Sequence, residues 1–419
     1  MTRPQPELRI AIDSAGLRRR IDELALISEA PPPVVTRVLF SEADLRGRDY
    51  VRRAAREAGL AVREDAVGNL FARWEGSEPG LPAVGSGSHT DAIPNAGRYD
   101  GVVGVLGAFE ALAALKRAGF APRRSLEVVM FTAEEPTRFG LGCLGSRLMA
   151  GSIPVEKALA LRDSEGRSLD ELRGTAGYAG PLESVRLPPG HYHAFVELHI
   201  EQGPILEAEG IPIGIVTHIA GPSSYRVTLH GEGGHAGAVL MPVRHDALLA
   251  GAEIALAVER AAKTSGSPDT VGTVGVLRIE PGAVNSVPFR AYLEIDLRDA
   301  RLDTRAKALA EIRSSADEAC ARRGVTMEFE EINEDPPAAG DAATVAIAEK
   351  VCAGLGLRSQ RMVSRAYHDS LFMSRVSPTT MIFIPCRNGW SHRPEEYASP
   401  EHIASGAEVL AHTLAALST

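Results

Sequence analysis

The chain reads as an α/β protein: a domain with a mostly parallel central sheet, interrupted by an inserted α+β domain of βαββαβ order. Three observations predict this. Short apolar runs of strand length alternate with helical stretches, the pattern of a parallel sheet with right-handed crossovers. A middle segment switches to the order strand, helix, strand, strand, helix, strand. Glycine is frequent, at 41 residues, and aromatics are sparse, at 5%, which suits many tight strand-to-helix turns. At 419 residues the chain exceeds one ordinary core, since domains run to about 100–200 residues.

In chain order, the first segment is helical. Ser41 to Asp44 reads as a capping-box start and Gly59 as a stop. Buried strands are expected at residues 83–85, 126–131, 195–198 and 381–384, from their length and β-branched content. A helix over 102–118 ends at Gly119. In the middle, the order is strand 225–230, helix 244–262, strands 272–279 and 290–297, helix 304–323 and strand 326–331. That is a split βαβ sandwich. The expected domains are residues 1–215 with 335–419, and an inserted 216–334. The last helix is signalled by Ser399 as N-cap, Pro400 at the first helical position and Glu401 in the first turn.

Composition excludes several classes. Hydrophobic residues at 44% and charged residues at 24% are ordinary globular values, not those of a disordered, collagen-like or coiled-coil chain. The formal charge of −9 weighs against nucleic acid as a partner. The longest weakly polar stretch, residues 101–115, is interrupted by Glu110 and is too short for a membrane span. The first residues show no apolar core or cleavage site of a signal peptide. Cys143, Cys320, Cys352 and Cys386 are far apart and form no C-x-x-C pair, so a reducing, cytoplasmic setting is expected. The cysteines are expected to take no part in the chemistry.

The unusual polar residues follow the strands. Residues 83–85 lead to His89 and Asp91, and Asp100-Gly101 opens the next helix. Residues 126–131 run into Glu134-Glu135, residues 195–198 into His199 and Gln202, and residues 381–384 into a loop with Ser391-His392. Ligands of open α/β sheets bind beyond these carboxyl ends. Taken singly, each residue has a plain reading. A histidine after a strand is usually just hydrogen-bonded, a Glu-Glu pair usually opens a solvated helix, and Asp100 can cap a helix. Five such groups at one edge point instead to metal. Imidazoles and carboxylates without thiolate are not a structural zinc site. They suit two divalent ions, Zn²⁺ or Mn²⁺, about 3.5–4 Å apart and sharing a carboxylate. Asp91 is placed to orient the His89 ring. Of the adjacent glutamates, one can ligate and the other serve as general base.

The strings GSHTDAIPNAGRYDG, MFTAEEPTRFG, ELHIEQGPILE, GGHAGAVLM, GAVNSVPF, EIDLRD, SRAYHDSLFM and IFIPCRNGWSHRPEEY occur in one order over nearly the whole chain. Together they resemble the two-metal amidohydrolases that include N-carbamoyl-L-amino-acid hydrolase, allantoate amidohydrolase and ureidoglycolate amidohydrolase. EEPTRFGLGCLGSRLMAG, GGHAGAVLMPVRHDA and SRAYHDSLFMSRVSP resemble the ureidoglycolate branch most. The carbamoylase branch more typically has HAGTTPM and SGAGHDA at the corresponding places.

The resemblance implies that His89, Asp100, Glu135, His199 and His392 are the metal ligands, Asp100 bridging, and Glu134 the base. It sets Gln202, His235, Asn285, Arg298, Tyr367 and His368 around the substrate. It further implies a homodimer through the inserted domain, with His235 reaching the partner's active site. The implied reaction is hydrolysis of a small ureido carboxylate, (S)-ureidoglycolate, to glyoxylate, ammonia and carbon dioxide. Allantoate and N-carbamoyl-L-amino acids are the near alternatives. An N-acyl-amino-acid hydrolase or peptidase, or a non-catalytic metal-binding protein, are more distant ones. From the residues alone, Arg298 can bind a carboxylate or pair with Asp296 or Asp299, and Asn285 can be a turn residue. Gly101, Gly104 and Gly107 fit helix–sheet packing better than nucleotide binding, and GEGGHAG lacks the pattern of a P-loop.

Overall fold

A computed structural model describes residues 9–419. The reading of the first residues as lacking a leader falls mostly on residues outside that range. The chain divides into two compact units. The first comprises the chain up to Thr217, Ala339–Met362 and His368–Thr419; the second comprises His218–Ala338 and Val363–Tyr367. The short return of residues 363–367 to the second unit leaves no mark in composition.

The first unit is built on a nine-stranded mixed sheet. Its centre is four parallel strands lying side by side, in the order Thr379–Ile384, Tyr192–Ile200, Ala83–His89 and Leu126–Phe131. These contain the four expected runs. Antiparallel strands extend the sheet: Ile213–Ile219 beside Thr379–Ile384, and Leu70–Trp74 with Ala61–Glu64 beyond Leu126–Phe131. All four central strands are buried along nearly their whole length, as strands covered on both faces must be.

The Ala83–His89 strand runs four residues past its expected end. Its second half, Ser86-Gly87-Ser88, has low strand propensity, yet the small residues are what the packing demands. A Cβ on Gly85 would lie 2.6 Å from the Phe195 ring. At Gly87, with φ +146°, it would collide with the Val129 carbonyl of the next strand. The helix Val102–Arg117 packs over this sheet, and a side chain at Gly104 or Gly107 would run into Leu198 or Ser88. Helix ends follow local signals. Ser41 caps Glu42–Glu57 by accepting the Asp44 N–H. The reciprocal half of the expected box is absent, because the Asp44 carboxylate instead takes the Phe40 N–H and the buried Arg48 guanidinium, each at 2.8 Å. Ser399 caps Pro400–Leu417 as expected.

The second unit carries a four-stranded antiparallel sheet in the order Val271–Glu280, Arg290–Asp299, Gly221–His230, Thr326–Glu334. Helices Ala247–Thr264 and Leu302–Arg323 complete the βαββαβ order. Alternate residues of Arg290–Asp299, from Ala291 to Leu297, enter a core with Ile254 and Ile312 of the helices. The first helix starts three residues later than expected, because Asp246 rather than Arg244 precedes it and caps Leu249 N–H.

Gly87→Ala should lower the thermal unfolding midpoint sharply or prevent folding, since it adds both strain and a backbone clash. Gly174→Ala, with nothing within 4 Å of the added Cβ, should leave the midpoint nearly unchanged. Differential scanning fluorimetry of the two variants separates these outcomes.

Candidate metal centre

The parallel strands deliver the candidate ligands to one sheet edge. His89 ends one strand, His199 lies near the end of the next, Glu134-Glu135 follow Leu126–Phe131, and His392 sits in the loop after Thr379–Ile384. Asp100 comes from the turn before Val102–Arg117. It does not cap that helix: Gly101 is the N-cap residue, without a side-chain cap bond. Gly101 has φ +65°, and a Cβ there would sit 2.5 Å from the His89 ring. Glycine thus lets the Asp100 turn close over His89.

Asp100 is shared. Its Oδ1 lies 3.6 Å from His89 Nε2 and 3.2 Å from His199 Nε2, and its Oδ2 lies 3.3 Å from His392 Nε2. His392 Nε2 is also 3.4 Å from Glu135 Oε1. Two metal-capable groups result, His89–Asp100–His199 and Asp100–Glu135–His392, with Asp100 in both. The spacings suit the donor set. Ligands about 2.0–2.2 Å from a tetrahedral ion lie roughly 3.3–3.6 Å apart.

The electrostatics also suit a cation. Burial, then the charge of Asp100, pushes Glu135 up to about 7. Glu134 is driven well above the carboxylate range by burial, with Glu135, Asp369 and Asp100 adding to it and His89 opposing. Burial would raise Asp100 too, but hydrogen bonds from His199, His392 and His89 hold it well below that range. A buried acid cluster of this kind is relieved by bound cations.

Glu134 is buried, with Oε2 3.7 Å from His89 Nε2. The Cys143 thiol lies 3.5 Å from its Oε1. Cys143 precedes the helix Leu144–Ala150, and its approach to Glu134 was not anticipated from sequence. All four cysteines are free and buried. Asp91 also acts differently from expectation. The nearest partner of His89 Nδ1 is the Asp91 main-chain carbonyl at 3.0 Å, while the carboxylate is 3.8 Å away. That carboxylate accepts the N–H groups of Glu134 and Glu135 at 3.3 and 3.1 Å. Asp91 therefore fixes the glutamate pair as well as the histidine.

Gln202 donates from Nε2 to Asp100 Oδ2 at 2.7 Å, and its buried Oε1 accepts no hydrogen bond. His368 is buried against His199, with ring centroids 4.5 Å apart, and joins Glu197 and His199 in a further metal-capable group. Within the second unit, His235 and Asn285 lie close together and exposed, the Ala236 N–H donating to the Asn285 carbonyl at 2.9 Å. Arg298 pairs with the Asp296 carboxylate at 2.6 and 3.1 Å and stands 5.3 Å over the Tyr367 ring. Glu197 was not anticipated from sequence. It lies inside an apolar strand and is held by Ser88 and Ser370 at 2.7 and 2.6 Å.

The parallel sheet edge thus brings two metal-capable groups together around one carboxylate. The chain belongs to peptidase family M20/M25/M40, whose model matches residues 85–416. More particularly, it is 56% identical over 412 residues to a ureidoglycolate hydrolase of Oryza sativa subsp. japonica, covering 97% of this chain and 85% of that one. It is 40% identical to an N-carbamoyl-L-amino acid amidohydrolase of Geobacillus stearothermophilus, covering 96% and 98%. Crystal structures of AtUAH with glyoxylate and with (S)-hydroxyglycine superpose with a TM-score of 0.90, at 55% and 54% identity over 98% of both chains. Among the described residues no helix is long and apolar enough to cross a membrane.

If Asp100 joins both groups, Asp100→Asn should strip nearly all bound metal. His392→Ala should leave about half. Metal per chain after dialysis, measured by plasma mass spectrometry, distinguishes the two. Equal loss in both variants would contradict the shared role.

Proposed function

We propose that the chain hydrolyses (S)-ureidoglycolate. One water is consumed, and glyoxylate, carbon dioxide and two molecules of ammonia are released. The observation that carries this reading is the near full-length similarity to the rice ureidoglycolate hydrolase. The (S)-hydroxyglycine and glyoxylate in the AtUAH complexes fit the same sequence of steps. Hydroxyglycine is what remains once the ureido group is cleaved, and its loss of ammonia gives glyoxylate.

Two divalent ions, Mn²⁺ or Zn²⁺, would be held by His89, Asp100 and His199 and by Asp100, Glu135 and His392, and when bound they polarise a carbonyl and acidify water. Glu134 takes the proton of the attacking water and returns it to the leaving nitrogen. Its buried carboxylate, 3.7 Å from His89 Nε2, lies beside the candidate ligands where such a water would sit. Asp91 holds the main chain of Glu134 and Glu135 still during this transfer. The unpartnered Gln202 Oε1 is an acceptor for a ureido N–H.

Arg298, Asn285 and Tyr367 are assigned to the substrate carboxylate, Arg298 by the bidentate geometry that suits carboxylates. His235 is assigned to the developing oxyanion, acting from the partner subunit of a homodimer. The second unit supports association through its exposed Leu240, Met241, Val243 and Leu256, and through Val271–Glu280 at the edge of its sheet. Four buried free thiols suit a reducing compartment such as the cytoplasm.

Product assays on ureidoglycolate, allantoate and N-carbamoyl-L-amino acids test the substrate. Turnover should be highest on (S)-ureidoglycolate, and a preference for either of the others would overturn the assignment. Glu134→Gln should lose about 10²–10⁴-fold in kcat while retaining its metal. Sedimentation should show a dimer; a fully active monomer would exclude His235 acting across subunits.

A further inference from the structure

The Asp100 turn and the His392 loop are almost three hundred residues apart in sequence, yet both must be placed to within a fraction of an ångström if one carboxylate is to serve two ions. One side chain joins them. Glu396 is buried, 4% exposed, four residues beyond His392. Its Oε1 accepts the N–H of Tyr99 at 2.7 Å and of Asp100 itself at 3.1 Å. Its Oε2 lies 3.0 Å from Ser391 Oγ, and the same hydroxyl lies 2.6 Å from Asp100 Oδ2. Asp100 is thus gripped twice, by its main chain directly and by its side chain through Ser391.

The neighbours are shaped for this grip. A Cβ at Gly97 would sit 2.5 Å from Glu396 Oε1 and would also collide with the Glu396 side-chain stem. Only glycine leaves room for the carboxylate to reach the Tyr99 and Asp100 N–H groups. Tyr99 and Tyr397, next to Asp100 and Glu396 in sequence, meet edge to face at 6.0 Å and close the same junction. Glu396 belongs to neither candidate ligand group, and the chemistry proposed above does not use it.

We propose that Glu396, seated on Gly97, is the positioning residue that holds the Asp100 carboxylate in its bridging orientation. It does so by hydrogen bonding rather than by charge. A glutamine has the same reach, can accept the two N–H groups through Oε1 and can donate to Ser391 Oγ, leaving the serine proton for Asp100. An alanine loses all three contacts. This inference rests on the reading of Asp100 as the shared ligand.

The test uses the full-length protein, stripped by chelation and titrated with Mn²⁺, followed by calorimetry and low-temperature electron paramagnetic resonance. The unaltered protein should bind two ions and give the multiline spectrum of a spin-coupled pair. Glu396→Ala should bind the second ion at least about tenfold more weakly, the usual scale for losing a residue that orients a ligand. Its spectrum should be that of isolated Mn²⁺. Glu396→Gln should restore both the second ion and the coupled spectrum, which a merely structural role would not require. A folded Glu396→Ala protein that keeps two ions within about twofold affinity and keeps the coupled spectrum would overturn the proposal. Failure of Glu396→Gln to restore them would overturn it too. Should Glu396→Ala not fold, Glu396→Asp, one methylene too short for the grip, decides by the same spectrum. Asp100→Asn serves as the control for the underlying reading: if it still gives a coupled pair, the shared-ligand assignment fails, whatever Glu396 does.

Discussion

One carboxylate between three imidazoles constrains the first unit. Asp100 faces His89 and His199 with one oxygen and His392 with the other. Burying such a group is costly unless its charge is answered. The surrounding acids, Glu134, Glu135 and Glu396, sharpen that cost, because burial and the charge of Asp100 push Glu135 and Glu396 each up to about 7. No single element can supply the answer. It takes several strand ends and the loops that follow them, which together bring the candidate ligands around Asp100. The parallel arrangement is therefore more than a fold class. It is what brings residues from four distant stretches to one edge with their side chains converging.

The loops at that edge are fixed from behind by hydrogen bonds to the main chain. The Asp91 carboxylate takes two N–H groups of the glutamate pair. Arg37, 1% exposed, donates to the carbonyls of Thr90 and Leu24 at 2.6 Å and of Ile27 at 2.8 Å, tying the His89–Asp91 turn to the N-terminal helix region. Burial lowers the Arg37 guanidinium to about 10, with Asp44 and Asp91 opposing. These hydrogen bonds remove freedom from the Glu134-Glu135 pair and the His89–Asp91 turn, as a preorganised site requires.

Much of this was legible in the residues. The four central strands declared themselves because both faces are buried, leaving short, mostly apolar runs such as Leu126–Phe131, in which Glu127 is the one charged residue. The candidate ligands His89, Glu135 and His199 stood out because each lies at or just after such a run, whereas Asp100 and His392 come from the loops beyond. The βαββαβ order was legible because its strands alternate cleanly, as in Arg290–Asp299. What stayed hidden depends on tertiary contact. Ser86-Gly87-Ser88 looks like a loop until the neighbouring strands require small residues there. The strand Ile213–Ile219 straddles the expected domain boundary at 215/216, yet it lies inside the sheet, paired with Thr379–Ile384. Cys143 and Glu396 carry no local pattern at all, since each gains its meaning from a partner brought in by the fold.

The central claim is that two ions share Asp100. Its most direct test is a crystal structure of the metal-loaded protein with anomalous scattering recorded at the metal absorption edge. Two anomalous peaks about 3.5–4 Å apart, one on each Asp100 oxygen, are the expected result. A single peak, or two peaks of which only one contacts Asp100, would contradict the account.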